Sequence, residues 1–203
     1  KASFALSALT KYFSSSSRAF STSHDTSVGL IPVRQPQGIF RDVISDYIDE
    51  GFVILKDWRN RIHCQEDCYM ECYKEYKNDY DWIFFFDCDE LLVLPKMTID
   101  EFMSQPKFEG FDMVHFHWMC YGDGDKLRYE DKPLTERIPK QVLPINFTVS
   151  YTFPENTHIK SAIRGGMENE PVWTWQPHTP TEPALKCCQV NGESCQFESP
   201  FAP

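Results

Sequence analysis

Apolar residues run along this chain in two rhythms, and the alternation between them predicts a layered α/β fold. Ile39, Val43, Ile44, Tyr47 and Ile48 recur at helical intervals, and Gly51 closes the run as a helix C-terminus would. Phe52-Val53-Ile54-Leu55 follows without a polar break, the pattern of a strand buried on both faces. A second helix is predicted from Cys64 to Tyr76, with Cys64, Cys68, Cys72 and Tyr76 on one side, and Asn78-Asp79-Tyr80-Asp81 ends it. Trp82-Ile83-Phe84-Phe85-Phe86 then reads as a central strand. Strand, helix, strand makes a βαβ unit, whose crossover requires parallel neighbours. Beyond Pro95, Thr98 with Glu101 three residues on has the form of a capping box, opening a short helix through Ile99, Phe102 and Met103. Phe111 to Trp118 forms one more strand. From Asp123 onward polar residues and prolines dominate, so most of this half is expected to wrap the sheet as loops, with Lys160 and Arg164 on a helical face or in a loop beside Gly165-Gly166.

Length and composition narrow the picture. The 203 residues, 41% hydrophobic and 15% aromatic, suffice for one packed core. Residues 1–27 are rich in serine and read as a poorly defined N-terminal segment, leaving 28–203 as a single domain. A formal net charge of -10 disfavours a nucleic-acid partner, whose backbone calls for a positive surface. No stretch is long and apolar enough to span a bilayer. Asn146-Phe147-Thr148 satisfies a glycosylation sequon, which matters only in a secreted chain. Of the eight cysteines, Cys64, Cys68 and Cys72 are expected as free thiols packed like small hydrophobes. Cys187, Cys188 and Cys195 leave open a small metal or disulfide knuckle. His115 and His117, two apart on a strand, form a metal-capable pair, but no cysteine or carboxylate is forced to meet them.

Chemistry concentrates where the central strand ends. Five apolar residues lead into Asp87-Cys88-Asp89-Glu90, and Leu91-Leu92-Val93-Leu94 follows. A buried lone carboxylate costs several kcal/mol, so three within four positions call for a cation or a strong hydrogen-bond network. Ligands of open α/β sheets gather beyond the carboxyl ends of strands, which is where this cluster falls. Hard oxygen donors there suit magnesium or manganese, which can bridge to a diphosphate. An Asp-x-Asp after a strand also serves as an ordinary turn or cap. Trp118 at a strand end can stack on a sugar face, with Tyr121 beside it in an acidic loop whose Asp123 and Asp125 are candidate bases. Lys160 and Arg164 are strong phosphate binders by residue type. Arg137 can pair with Glu136 or with the acidic cluster.

The segment Asp81-Trp82-Ile83-Phe84-Phe85-Phe86-Asp87-Cys88-Asp89-Glu90-Leu91-Leu92 resembles the DxDE region of bacterial glycosyltransferases with the GT-A fold, of the family 2 and related family 92 type. The resemblance extends through Gln65, Trp118-Met119-Cys120-Tyr121-Gly122-Asp123-Gly124-Asp125, Glu136-Arg137, His158-Ile159-Lys160-Ser161, Arg164-Gly165-Gly166 and Pro177-His178-Thr179-Pro180, covering about residues 28–192. It implies a GT-A-like, mostly parallel central sheet flanked by helices. It also implies a metal-dependent transfer of a hexose from a nucleotide-sugar donor, a UDP-sugar, to a glycan or lipid-linked sugar acceptor, with inversion. Asp87, Asp89 and His178 are the implied ligands of Mn2+ or Mg2+. Asp25, Asp87, Lys160 and Arg164 are the implied donor contacts, Asp123, Asp125 and Glu90 the catalytic candidates, and Trp118 and Tyr121 the acceptor contacts. The implied setting is polysaccharide biosynthesis in the cytoplasm, peripheral to the inner face of the bacterial membrane. The front of the chain departs from the family pattern: no apolar strand precedes His24-Asp25-Thr26-Ser27, so either residues 1–20 replace the first strand of the nucleotide-binding half poorly or that strand is missing. Two other functions stay open, a degenerate carbohydrate-binding module and a metal-dependent phosphotransferase or phosphohydrolase.

Overall fold

The computed structural model describes residues 45–58, 64–87, 90–94, 96–119, 121–122, 128, 130, 132, 134–137, 140–141, 158–174 and 178–195, together with the backbone of 3–6 and 29–33. Its strands are β1 (Ser3–Leu6), β2 (Gly29–Val33), β3 (Val53–Asp57), β4 (Trp82–Phe85), β5 (Met113–His117), β6 (Tyr121–Gly122), β7 (Lys140–Gln141), β8 (Ile159–Arg164), β9 (Cys187–Gln189) and β10 (Ser194–Cys195). Helical segments are α1 (residues 45–49), α2 (Gln65–Tyr76), α3 (Ile99–Met103) and α4 (Leu134–Arg137). Eight strands form one sheet in the order β10-β9-β5-β8-β4-β1-β2-β3, and β6 pairs with β7 apart from it.

The expectation of a mostly parallel sheet is corrected. In the five-stranded part from β4 to β10, β5–β9 is the one parallel pair, and β4–β8, β5–β8 and β9–β10 are antiparallel. The cause is β8, a segment whose sequence pattern predicts helix or loop. It enters between β4 and β5 and runs against both, so the C-terminal half completes the sheet rather than wrapping it. On the other side of β4, β1, β2 and β3 continue the sheet with parallel pairs. Of the two expectations for the front of the chain, a missing first strand is corrected: Ser3–Leu6, within residues 1–20, lies between β4 and β2, with Phe4 opposite Ile83.

Period-two alternation divides the core between the two faces of the sheet. Ile83, Phe85, Met113, Ile163 and Cys187 face Tyr69, Cys72 and Tyr73 of α2 together with Trp173. Phe85 and Trp173 stand edge-to-face at 4.7 Å, with Tyr69 4.9 Å from Phe85. Trp82, Phe84, Val114, Phe116, Ala162 and Cys188 face Met103 of α3 and Phe108. The predicted capping box is present: Glu101 N–H donates to Thr98 Oγ1 at 3.2 Å and Thr98 N–H to Glu101 Oε2 at 2.7 Å. Cys64, Cys68 and Cys72 are buried thiols outside any disulfide, as expected. Gly165 explains the Gly165-Gly166 pair: its N–H donates to Asp81 O at 2.8 Å, and a Cβ there would collide with the Tyr80 carbonyl. Among the described residues no helix is long and apolar enough to cross a membrane.

Candidate functional site

The four residues of β4 are all buried, and the chain leaves the sheet at Phe86 with Asp87 emerging at its carboxyl end. A turn follows at once, closed by Glu90 N–H to Asp87 O at 3.0 Å. The Glu90 side chain folds back so that Oε2 accepts the Asp87 N–H at 2.7 Å. Pairing of β4 with β8 sets Phe84 opposite Ala162, and continuing the antiparallel register carries Lys160 alongside the exit of β4. Lys160 is 2% exposed. An isolated ammonium at that depth would cost several kcal/mol. Its Nζ instead meets Asp87 Oδ2 at 3.0 Å and Glu90 Oε2 at 3.4 Å. Asp87 and Glu90 of the acidic cluster and the distant Lys160 thus form one charged centre, two carboxylates around a buried cation.

The surroundings tune this centre. Gln65, at the start of α2, donates through Nε2 to Tyr69 Oη at 2.7 Å and to Asp87 Oδ1 at 3.4 Å. Burial, reinforced by the Asp87 charge, raises the Tyr69 phenol far above its ordinary value, so it stays protonated. Burial also pushes the Glu90 carboxyl up to about 7, with Lys160 pulling the other way. Beside the charges stands an aromatic group. Trp118 lies 5.1 Å from the His158 ring and 5.2 Å from that of His178, and the two imidazoles are 5.1 Å apart. Lys160 Nζ is 5.9 Å from the centroid of Trp118, which joins the aromatic group to the charged centre. Burial, then Lys160 and His158, lower His178 to about 4, so it is a neutral imidazole near pH 7.

The remaining sequence candidates fall in different places. Arg164 occupies the other end of β8, donating to Phe111 O at 2.6 Å and Phe108 O at 2.7 Å with its guanidinium 4.3 Å from the Trp82 ring centroid. It is not brought together with Lys160. Tyr121 is exposed on β6, its hydroxyl 3.6 Å from Met119 Sδ. Asp25, Asp89, Asp123 and Asp125 lie outside the described residues.

The expected Mn2+ or Mg2+ on Asp87, Asp89 and His178 is corrected by the donor sets present. Asp87 is already paired with a buried lysine that supplies the positive charge an ion would bring. Among the described residues, the group of three metal-capable side chains is His115, Cys187 and Cys195, whose ligand atoms lie within 4.8 Å of one another. Nitrogen and sulfur donors are not the all-oxygen set that magnesium or manganese prefers. Burial lowers the His115 imidazole to about 4, and burial with the Cys187 contact raises the Cys195 thiol to about 12. The sequence had offered His115 and the cysteines as separate fragments; strand pairing unites them.

The family model for glycosyltransferase family 92 matches residues 30–142, more than half of the chain. No curated protein and no solved structure matches it.

Proposed function

The chain belongs to glycosyltransferase family 92, and from that premise we propose that it transfers a hexose from a UDP-sugar to a hydroxyl of a glycan or lipid-linked sugar, using Glu90 as the base. The observation that carries this reading is the Asp87–Lys160–Glu90 centre at the end of β4, with the Trp118 aromatic group beside it. A carboxyl poised near pH 7 at a strand end suits proton abstraction under working conditions. In the proposed reaction Glu90 takes the proton of the acceptor hydroxyl and the freed oxygen bonds to the anomeric carbon. The bond from that carbon to the diphosphate breaks, and the nucleoside diphosphate leaves. A single displacement of this kind inverts the anomeric centre. Trp118 offers an apolar platform for the acceptor ring. Lys160 is a positioning residue: too buried to move freely, it holds both carboxylates and limits the rise of Glu90. The test is release of nucleoside diphosphate from a panel of nucleotide sugars, in the presence of glycan acceptors, by the wild type and Glu90→Gln. Acceptor-dependent release lost in the variant supports the reading; equal release by both proteins refutes the role of Glu90. Glycan binding with no release from any donor supports a binding module instead.

A further inference from the structure

A second site lies at the edge of the sheet, separate from the charged centre and independent of the transfer reaction. Met113 of β5 pairs with Cys187 of β9, and Cys187 pairs with Cys195 of β10, so His115 and the two thiols come from three adjacent strands. The sulfurs are 3.3 Å apart. Tetrahedral zinc with Zn–S bonds of about 2.3 Å sets two thiolates about 3.7 Å apart, so the sulfur pair need open by only a few tenths of an ångström, and the imidazole nitrogen, now within 4.8 Å of both, closes toward about 3.6 Å. His115 is oriented from behind. Ser161 Oγ donates its proton to His178 O at 3.2 Å and lies 3.2 Å from His115 Nδ1. With that proton committed, the hydroxyl offers Nδ1 lone pairs, so Nδ1 carries the ring hydrogen and Nε2 keeps the lone pair a metal needs. Support of a ligand imidazole through its second nitrogen is a recurring feature of metal sites.

We propose that His115, Cys187 and Cys195 bind a zinc ion that fastens the β9–β10 hairpin to β5. One imidazole and two sulfurs select a soft or borderline ion over magnesium or manganese. On binding, each thiol gives its proton to solvent and each sulfur bonds to the metal. The two thiolates then neutralise the dication, so the loaded site carries no net charge into a region where Cys187 is only 5% exposed. Cys195 is half-buried, and the fourth position falls to water on its side.

The test is titration of the reduced full chain with Co2+ as a spectroscopic stand-in for zinc. The expected result is thiolate-to-cobalt absorption saturating at one ion per chain, displaced by zinc and untouched by excess Mg2+ or Mn2+. Cys195→Ser should weaken binding at least tenfold, whereas Cys68→Ala, on α2, should leave it intact. A measurement on the wild type removes dependence on variant folding: zinc should protect Cys195 from alkylation and raise Tm. Absence of the band, a band indifferent to Cys195→Ser, or unprotected Cys195 with zinc present each overturns the proposal. So does an intact mass two hydrogens low that maps to a Cys187–Cys195 disulfide persisting in the reduced preparation.

Discussion

Replacing Lys160 by methionine tests the charged centre most directly, because methionine keeps the length of the buried stem and removes only the ammonium. Removing one partner of a buried ion pair costs about 3–5 kcal/mol. Here the carboxylates left behind, with 34% and 20% side-chain exposure at Asp87 and Glu90, recover some hydration. The expected loss is therefore lower, about 2–3 kcal/mol, which for a chain of this length corresponds to a fall in Tm of about 4–12 °C. The pH dependence is the sharper signature. In the wild type Glu90 titrates near 7 rather than near 4.5. Between those values the folded state holds a proton that the unfolded state has released, so stability falls as pH rises through that window. Without Lys160 the one charged side chain among the described residues that lowers Glu90 disappears, and its titration moves higher still. The deficit of Lys160→Met relative to wild type should then be smaller near pH 5, where the lost Asp87 pairing alone remains, and grow toward pH 8 as the Glu90 charge is added. Urea unfolding at a series of pH values measures this. A deficit of equal size at pH 5 and pH 8 would refute the compensation of Glu90 by Lys160, and no deficit at all would refute the assignment of Lys160 as charge compensator.

Three further outcomes follow from the same geometry. The pH profile of kcat/KM should rise with a midpoint near 7 as Glu90 loses its proton, and Glu90→Gln should abolish that rise while lowering the rate by about 10²–10⁴-fold; a rise that survives the substitution assigns the base elsewhere. Trp118→Ala should raise KM for the acceptor while sparing donor affinity, measured by varying each substrate in turn; an unchanged acceptor KM removes Trp118 from the site. Gly165→Ala should destabilise the protein by about 2 kcal/mol or more, because its Cβ would meet the Tyr80 and Lys77 carbonyl oxygens of the rigid α2–β4 connection; thermal melting that matches wild type would contradict this close approach.

Elements whose logic is local were legible in the sequence. The α2 stripe, the unbroken apolar run of β4 and the Thr98–Glu101 capping box each depend on residues a few positions apart. β8 was not legible, because Lys160 and Arg164 interrupt its apolar pattern and look like solvent-facing charges. Both are tolerable in the sheet only through distant partners: Asp87 and Glu90 for Lys160, and the Phe108 and Phe111 carbonyls with the Trp82 ring for Arg164. Without that strand the antiparallel part of the sheet, from β4 to β10, has no signal in the sequence. At the site, Asp87, Glu90 and Lys160 could each be named from residue type and position, but not joined, since no spacing rule links residues 73 apart in sequence. The same limit hid the approach of Cys187 and Cys195 to His115. It also explains why the acidic cluster suggested an ion: the chain supplies its cation from far downstream.

That arrangement has a consequence for how the protein is made. A ribosome delivers Asp87 and Glu90 long before Lys160, so the nascent chain carries two carboxylates with no counter-charge and leaves β4 and β5 each with an open edge. The family-matched stretch, 30–142, ends before the strand that closes both. Insertion of Ile159–Arg164 joins β4 to β5 and neutralises the cluster in one event, so a chain cut short of that strand should be an aggregation-prone intermediate.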